Sequence, residues 1–197
     1  MNGVQNKILL YPDESGQSKI LEEKVIIAGF GGQGIMLAGK LMIQAGLLEG
    51  RNVTFIPSYG AEVRGGTAHC HVIISGDEIA SPVIAFPDAC LVMNSPSLQK
   101  FTPRLRAGGL LLINRSLAKE EVTRKDVNVI GVEANEIAEG LGNIKAANLV
   151  ILGAYARDSL LLTMESIRRA LESLLPPHHR DLLEINLKAL QSGYEAR

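Results

Sequence analysis

The sequence predicts a Rossmann-like α/β layered domain: a mostly parallel sheet with one β-hairpin, and helices on both faces. Three observations predict it. The apolar run Val25-Ile26-Ile27-Ala28 strikes four glycines between Gly29 and Gly34, and a long apolar stretch follows at once. That is how a buried first strand turns into the first helix of such a domain. Further short apolar runs at 88–94, 110–114 and 127–132 alternate with segments of helical spacing, the order of strand–helix–strand units. A chain of 197 residues, 46% of them hydrophobic, buries most of its apolar surface as one domain.

Residues 1–23 are polar and mixed in charge, with one apolar run (Ile8-Leu9-Leu10-Tyr11) and the turn-prone Pro12-Asp13-Glu14-Ser15-Gly16. They lack a signal-peptide core and read as an extension that lies on a partner, leaving 24–197 as the single domain. The first strand covers 24–30. The helix over 33–48 is apolar nearly all round, so it is buried on more than one side, in part against another subunit; Gly50 stops it. A second strand covers 52–58. The loop after it is dense in glycine and carries Ser58, Tyr59, Glu62 and Arg64 within seven residues, the content of a binding loop. Arg64 offers a planar fork for phosphate or carboxylate. A plain turn with a local Glu62–Arg64 ion pair is the alternative.

Residues 68–75 alternate as a strand, Gly76-Asp77 turns, and 78–84 returns as the second arm of a hairpin. His69 and His71 share one face of that strand. Without a visible third ligand they read as hydrogen-bonding or ligand-lining groups, not a metal site. Ser95-Pro96 opens a helix through about 105, ended by Gly108-Gly109. Helices follow at 136–141, stopped by Gly142-Asn143, and at 146–158. Thr163 caps the next one, with Ile167, Ala170, Leu171, Leu174 and Leu175 at helical spacing. Pro176-Pro177 breaks it, His178 and His179 form a solvated loop, and a last helix over 181–190 ends at Gly193.

Composition excludes several classes. Twenty basic residues against 21 acidic leave no electrostatic footprint for nucleic acid or anionic membrane. No apolar run approaches the ~18 residues of a membrane span. Cys70 and Cys90 are too few for a disulfide scaffold or a four-cysteine iron–sulfur cluster, and read as reduced thiols of a cytoplasmic protein. With no Trp and 4% aromatics, base-stacking platforms are lacking. A mean hydropathy of +0.14 fits apolar surface shared with partners, and equally an apolar core.

Gly29, Gly31 and Gly34 satisfy G-x-G-x-x-G, but a nicotinamide dinucleotide site also needs an acid about 20 residues on, at the tip of the second strand. Here that tip is Pro57-Ser58. The glycines therefore serve another phosphate-bearing ligand, a subunit seam, or only close strand–helix packing.

The two motifs Gly29-Phe30-Gly31-Gly32-Gln33-Gly34 and Ser58-Tyr59-Gly60-Ala61-Glu62-Val63-Arg64-Gly65-Gly66 together resemble the gamma subunit of 2-oxoacid:ferredoxin (2-oxoacid:acceptor) oxidoreductases. The likeness continues through Ser81-Pro82, Pro87-Asp88, Gly108-Gly109, Asn148 and Leu152-Gly153, covering about 25–193. Ala61 departs from the family's usual proline. Ser58-Tyr59-Gly60 separates the chain from the indolepyruvate-type relatives.

The resemblance implies a cytoplasmic, multi-chain enzyme that decarboxylates a 2-oxoacid, with 2-oxoglutarate favoured, and forms an acyl-CoA while ferredoxin takes the electrons. It implies alpha and beta partners, with a ferredoxin-like delta subunit as a third. Thiamine diphosphate and iron–sulfur clusters are then held by partner subunits, and no catalytic or metal-binding residue falls on this chain. Gly31, Gly32, Gln33 and Gly34, with Ser58, Tyr59, Gly60, Glu62, Arg64, Gly65 and Gly66, are expected to form one patch at the ends of adjacent strands, meeting coenzyme A or a partner subunit. Two other readings stand beside it: a stand-alone nucleotide-binding module and a purely structural subunit.

Overall fold

The computed structural model describes residues 10–12, 18–20, 22–59, 67–175 and 180–196. A two-stranded antiparallel ladder of β1 (Leu10–Pro12) and β2 (Ser18–Ile20) precedes the main sheet and is separate from it. Six strands make up that sheet: β3 (Glu22–Phe30), β4 (Asn52–Tyr59), β5 (Thr67–Ser75), β6 (Ala89–Val92), β7 (Leu110–Asn114) and β8 (Asn128–Val132). Their order is β4-β5-β3-β6-β7-β8. β3, β6, β7 and β8 are parallel neighbours, whereas β5 pairs antiparallel with both β3 and β4. One strand thus runs against five, as expected of a mostly parallel sheet.

The hairpin is not the predicted one. Residues 78–84 form no strand, and β5 instead has β4 as its hairpin partner, across residues 60–66. Both edges of β5 are already taken by β3 and β4, so a returning arm has no free ladder to join. Pro82 also lacks the N–H that such an arm would need. The chain after β5 leaves through the Ser75 hydroxyl, which accepts from the Asp77 N–H at 3.1 Å, and buries Ile84.

The helices are α1 (Ile35–Leu48), α2 (Ser95–Phe101), α3 (Ala134–Gly140), α4 (Ala147–Ala156), α5 (Met164–Leu174) and α6 (Arg180–Glu195). Alternation along each strand splits the core into two layers. Val25, Ile27, Val72, Leu91 and Leu112 face α1 and α3–α6. Ile26, Ala28, Ile73, Cys90, Val92 and Leu111 face α2 and its flanking turns. α4 is buried along its whole length, being wedged between the sheet and α6.

The local signals act as predicted at several helix ends. Gly50 closes α1 at φ 69°. Thr163 and Ser166 form a reciprocal capping box on α5. Past α2 the predicted helix tightens into the 3₁₀ turn Thr102–Arg104, because Pro103 has no N–H for an α-helical bond. Gly193 does not end the last helix, which runs on to Glu195. A Cβ on Gly193 would collide with the Val150 carbonyl, and one on Gly153 with the Leu190 carbonyl. The two glycines instead let α4 and α6 cross backbone to backbone.

Candidate functional site

β3 runs straight into Gly31-Gly32-Gln33-Gly34, and α1 begins at Ile35. The four positions differ in what holds them. Gly32 and Gly34 stand at φ 92° and 73°, where an L side chain is strained. The Gly34 carbonyl accepts from the Asn148 amide of α4 at 3.1 Å, and the space beside its Cα is filled by that amide. Gly31 is outside the left-handed region, and a Cβ there would meet nothing within 4 Å. The start of α1 has no side-chain cap and no acid in its first turn, so its N–H groups retain their positive partial charge.

Gln33, expected to meet a ligand, is turned inward. Its Oε1 accepts from the Phe30 N–H at 2.6 Å and the Asn94 amide at 3.2 Å, and its Nε2 donates to the Met93 carbonyl at 3.4 Å. Asn94 also caps α2 by accepting from the Ser97 N–H at 2.9 Å. α1 and α2 leave β3 and β6 on opposite sides of the sheet, which makes this crevice the topological switch point where open α/β sheets place ligands. Gln33 and Asn94 bolt its floor together. Beside it opens a cavity of about 190 Å³ lined by Gly32, Gln33, Met93, Asn135, Ile144, Lys145 and Ala147.

Ser58 lies near the end of β4, paired with His69, at the same edge of the sheet. The strands expected to be adjacent are in fact separated by β5, so Ser58 stands two strands from the glycine turn. Tyr59 extends β4 opposite Ala68; Gly60, Glu62, Arg64, Gly65 and Gly66 lie outside the described residues. Sequence reasoning missed Asn94, Asn135 and Lys145 as parts of the site. An asparagine just before Ser95-Pro96 is a helix-cap signal that points to Asn94.

At the opposite end of the sheet a cleft of about 500 Å³ is lined by Glu22, Glu23, Asp88, Arg106, Asn128 and Asp158, among others. Its carboxylates are engaged internally. Glu22 pairs with Lys24 at 2.8 Å, and Asp88 pairs with Arg106 at 2.8 Å while accepting the Lys24 N–H at 2.6 Å. Glu23 accepts from the Ser159 hydroxyl at 2.9 Å, and burial pushes its carboxyl up to about 7. The Tyr155 hydroxyl beside it is fully buried and outside regular hydrogen-bond geometry. This cleft is larger than the switch-point cavity, but its charged groups serve the fold.

Residues 24–196 match the family described as pyruvate ferredoxin/flavodoxin oxidoreductase. The chain belongs to that family. Among its relatives, the ketoisovalerate oxidoreductase subunit VorA of Methanothermobacter marburgensis is 38% identical over 183 residues, 92% of this chain and 38% of that protein. The 2-oxoglutarate synthase subunit KorC of the same organism is 31% identical over 182 residues, 89% of this chain and 96% of the subunit. A solved keto/oxoacid ferredoxin oxidoreductase gamma subunit from Geobacter sulfurreducens PCA superposes with a TM-score of 0.77 at 29% identity, covering 88% of this chain and 97% of that one. The chain therefore spans well under half of VorA and nearly all of the other two.

The two thiols lie in different layers of the core. Cys70 belongs to one core layer and donates to the Ile35 carbonyl; Cys90 belongs to the other, on the far side of the sheet, and donates to the Phe101 carbonyl. Burial pushes both thiols up to about 12, away from the thiolate that ligates metal. Among the described residues no three His, Cys, Asp or Glu side chains converge as a metal site, and no helix is long and apolar enough to cross a membrane.

Proposed function

We propose that this chain is the gamma subunit of a cytoplasmic, multi-chain 2-oxoacid:ferredoxin oxidoreductase, which converts a 2-oxoacid and coenzyme A to acyl-CoA and carbon dioxide while reducing ferredoxin. Alpha and beta chains, with a ferredoxin-like delta chain in a four-chain assembly, hold thiamine diphosphate and the iron–sulfur clusters. Glycine Gly31 carries the reading. Its backbone angle and the empty space around it demand no glycine, so an approaching ligand or partner is the reason for one. The uncapped N-terminus of α1 and Lys145 of the adjoining cavity supply positive potential for the phosphates of coenzyme A. The loop of Tyr59, Glu62 and Arg64 completes the contact in this reading.

The chain's contribution is positional. It closes over the thiamine-bearing site, keeps water out, and holds the incoming thiol in place. Relatives named for ketoisovalerate and for 2-oxoglutarate define the acids to be compared first.

Anaerobic affinity purification of the tagged chain from its host, followed by viologen reduction with a panel of 2-oxoacids and coenzyme A, tests the proposal. A co-purifying thiamine-binding chain, a cysteine-rich chain and one acid that drives reduction are expected. A chain that purifies alone and binds a nucleotide tightly overturns it.

A further inference from the structure

On the sheet face that packs against α2, β5 presents His69 and His71 with ring centroids 5.6 Å apart. The His69 ring lies 5.0 Å from that of Phe101 on α2. Around the same Phe101 ring stand the Lys100 ammonium, at 5.2 Å, and the Arg104 guanidinium, at 5.7 Å. Three cationic or protonatable groups thus surround one aromatic ring, with His71 beside one of them. Neither Lys100 nor Arg104 has a carboxylate partner among the described residues. Arg104 is fixed through the carbonyls of Ile84 and Ala85 at 2.5 and 3.4 Å, so its charge is held in place without being neutralised.

Among the described residues, His69 Nδ1 and His71 Nε2 have no hydrogen-bond partner and are shut away from solvent. An unpaired buried nitrogen is destabilising, and apolar residues at these strand positions would avoid that cost. Burial first, then Lys100, the neighbouring imidazole and Arg104, lower His69 to about 4; burial and Arg104 lower His71. No carboxylate among the described residues offsets these charges at either ring.

We propose that His69, His71, Lys100 and Arg104 form an anion subsite that receives a phosphate group on the sheet face. Phosphate fits better than carboxylate because its three oxygens can accept from several donors arriving from β5, α2 and the 3₁₀ turn after it at once, whereas a carboxylate suits a single guanidinium fork. The inference is independent of the oxidoreductase reading. It uses none of the strand-end residues.

The test is a pH titration of the histidine ring signals by NMR on the full chain, alone, with inorganic pyrophosphate, and with coenzyme A; a His69→Gln variant assigns the signals. Bound phosphate should raise the His69 and His71 pKa values by about one unit or more. By linkage, binding should tighten as pH falls from 8, approaching tenfold for the His69 ring only below its free value of about 4. Lys100→Ala, at an exposed position, should weaken binding several-fold with the melting temperature unchanged. A response to both ligands supports a general phosphate subsite, and one to coenzyme A alone supports a subsite specific for that molecule's phosphate. Unmoved histidines in both arms, or full binding by Lys100→Ala, overturn the proposal. Neither result bears on whether the chain joins an oxidoreductase.

Discussion

Gly31→Ala separates a residue held by its own fold from one held open for a visitor. The added methyl would meet nothing within 4 Å in this chain, and the backbone there is not left-handed. The variant should therefore be as stable as the parent, or more stable by about 0.4–1 kcal/mol, because alanine narrows the unfolded ensemble. In the assembled enzyme the same methyl would intrude on whatever approaches the turn. Overpacking a fitted contact costs about 1–3 kcal/mol, which corresponds to roughly 5- to 150-fold in affinity. Thermal melting of the chain and the apparent KM for coenzyme A in the purified complex, with subunit stoichiometry read alongside, form the assay. A stability loss beyond about 1 kcal/mol would show that the turn is packed internally. Unchanged melting together with unchanged KM and assembly would refute the reasoning that the open glycine faces a ligand or partner.

Gln33→Ala should behave in the opposite way, losing about 2 kcal/mol as the Phe30 N–H and the Asn94 amide lose their acceptor; differential scanning calorimetry should show a drop of about 4–8 °C. Gly193→Ala drives a methyl into the Val150 carbonyl and should cost at or above the top of the ~1–3 kcal/mol overpacking range, whereas the exposed Gly140, whose Cβ would meet nothing within 4 Å, should accept alanine in the same denaturant titration. Glu23 binds its proton more tightly folded than unfolded, with a pKa of about 7 against 4.5, so its contribution falls as pH rises through that window and is lowest above it. Glu23→Gln removes the penalty. Melting curves should show the variant gaining on the parent between about pH 4.5 and 7, by at most about 3 kcal/mol, and a gain independent of pH would contradict the assignment.

Strand-by-strand, the sheet was readable because buried parallel strands announce themselves as short apolar runs, and 110–114 coincides with β7. Helix ends were readable where one side chain decides them, as at Thr163. Pairing was not. Which strand β5 joins depends on edges already filled by β3 and β4, a property of the assembled sheet that alternation within 68–84 does not carry. Gly193 misled for a related reason: a glycine that stops a helix and one that admits a second helix look alike until the crossing partner, here Val150, is known. At the site, the glycine turn was evident from spacing alone, but the direction of Gln33 depended on Asn94 and Met93 at the end of another strand.

The polar groups at the switch point are divided between two tasks. Gln33, Asn94 and Asn148 spend their hydrogen bonds on the backbones of Phe30, Met93, Ser97 and Gly34 and on the Gln33–Asn94 contact, tying β3, β6, α1, α2 and α4 into one frame. What remains open is backbone and shape: Gly31, Gly32, the first N–H groups of α1, and the cavity beside Lys145. A frame of that kind suits the phosphate contact proposed above, because its own rotamers are locked by second-layer bonds. It offers no general base or nucleophile among the described residues of the turn. The buried, unreactive thiols on opposite sides of the sheet point the same way. Loosening the frame through Gln33 should therefore harm ligand positioning and stability together, whereas filling the opening at Gly31 should harm positioning alone; that dissociation distinguishes a docking surface from a reacting centre.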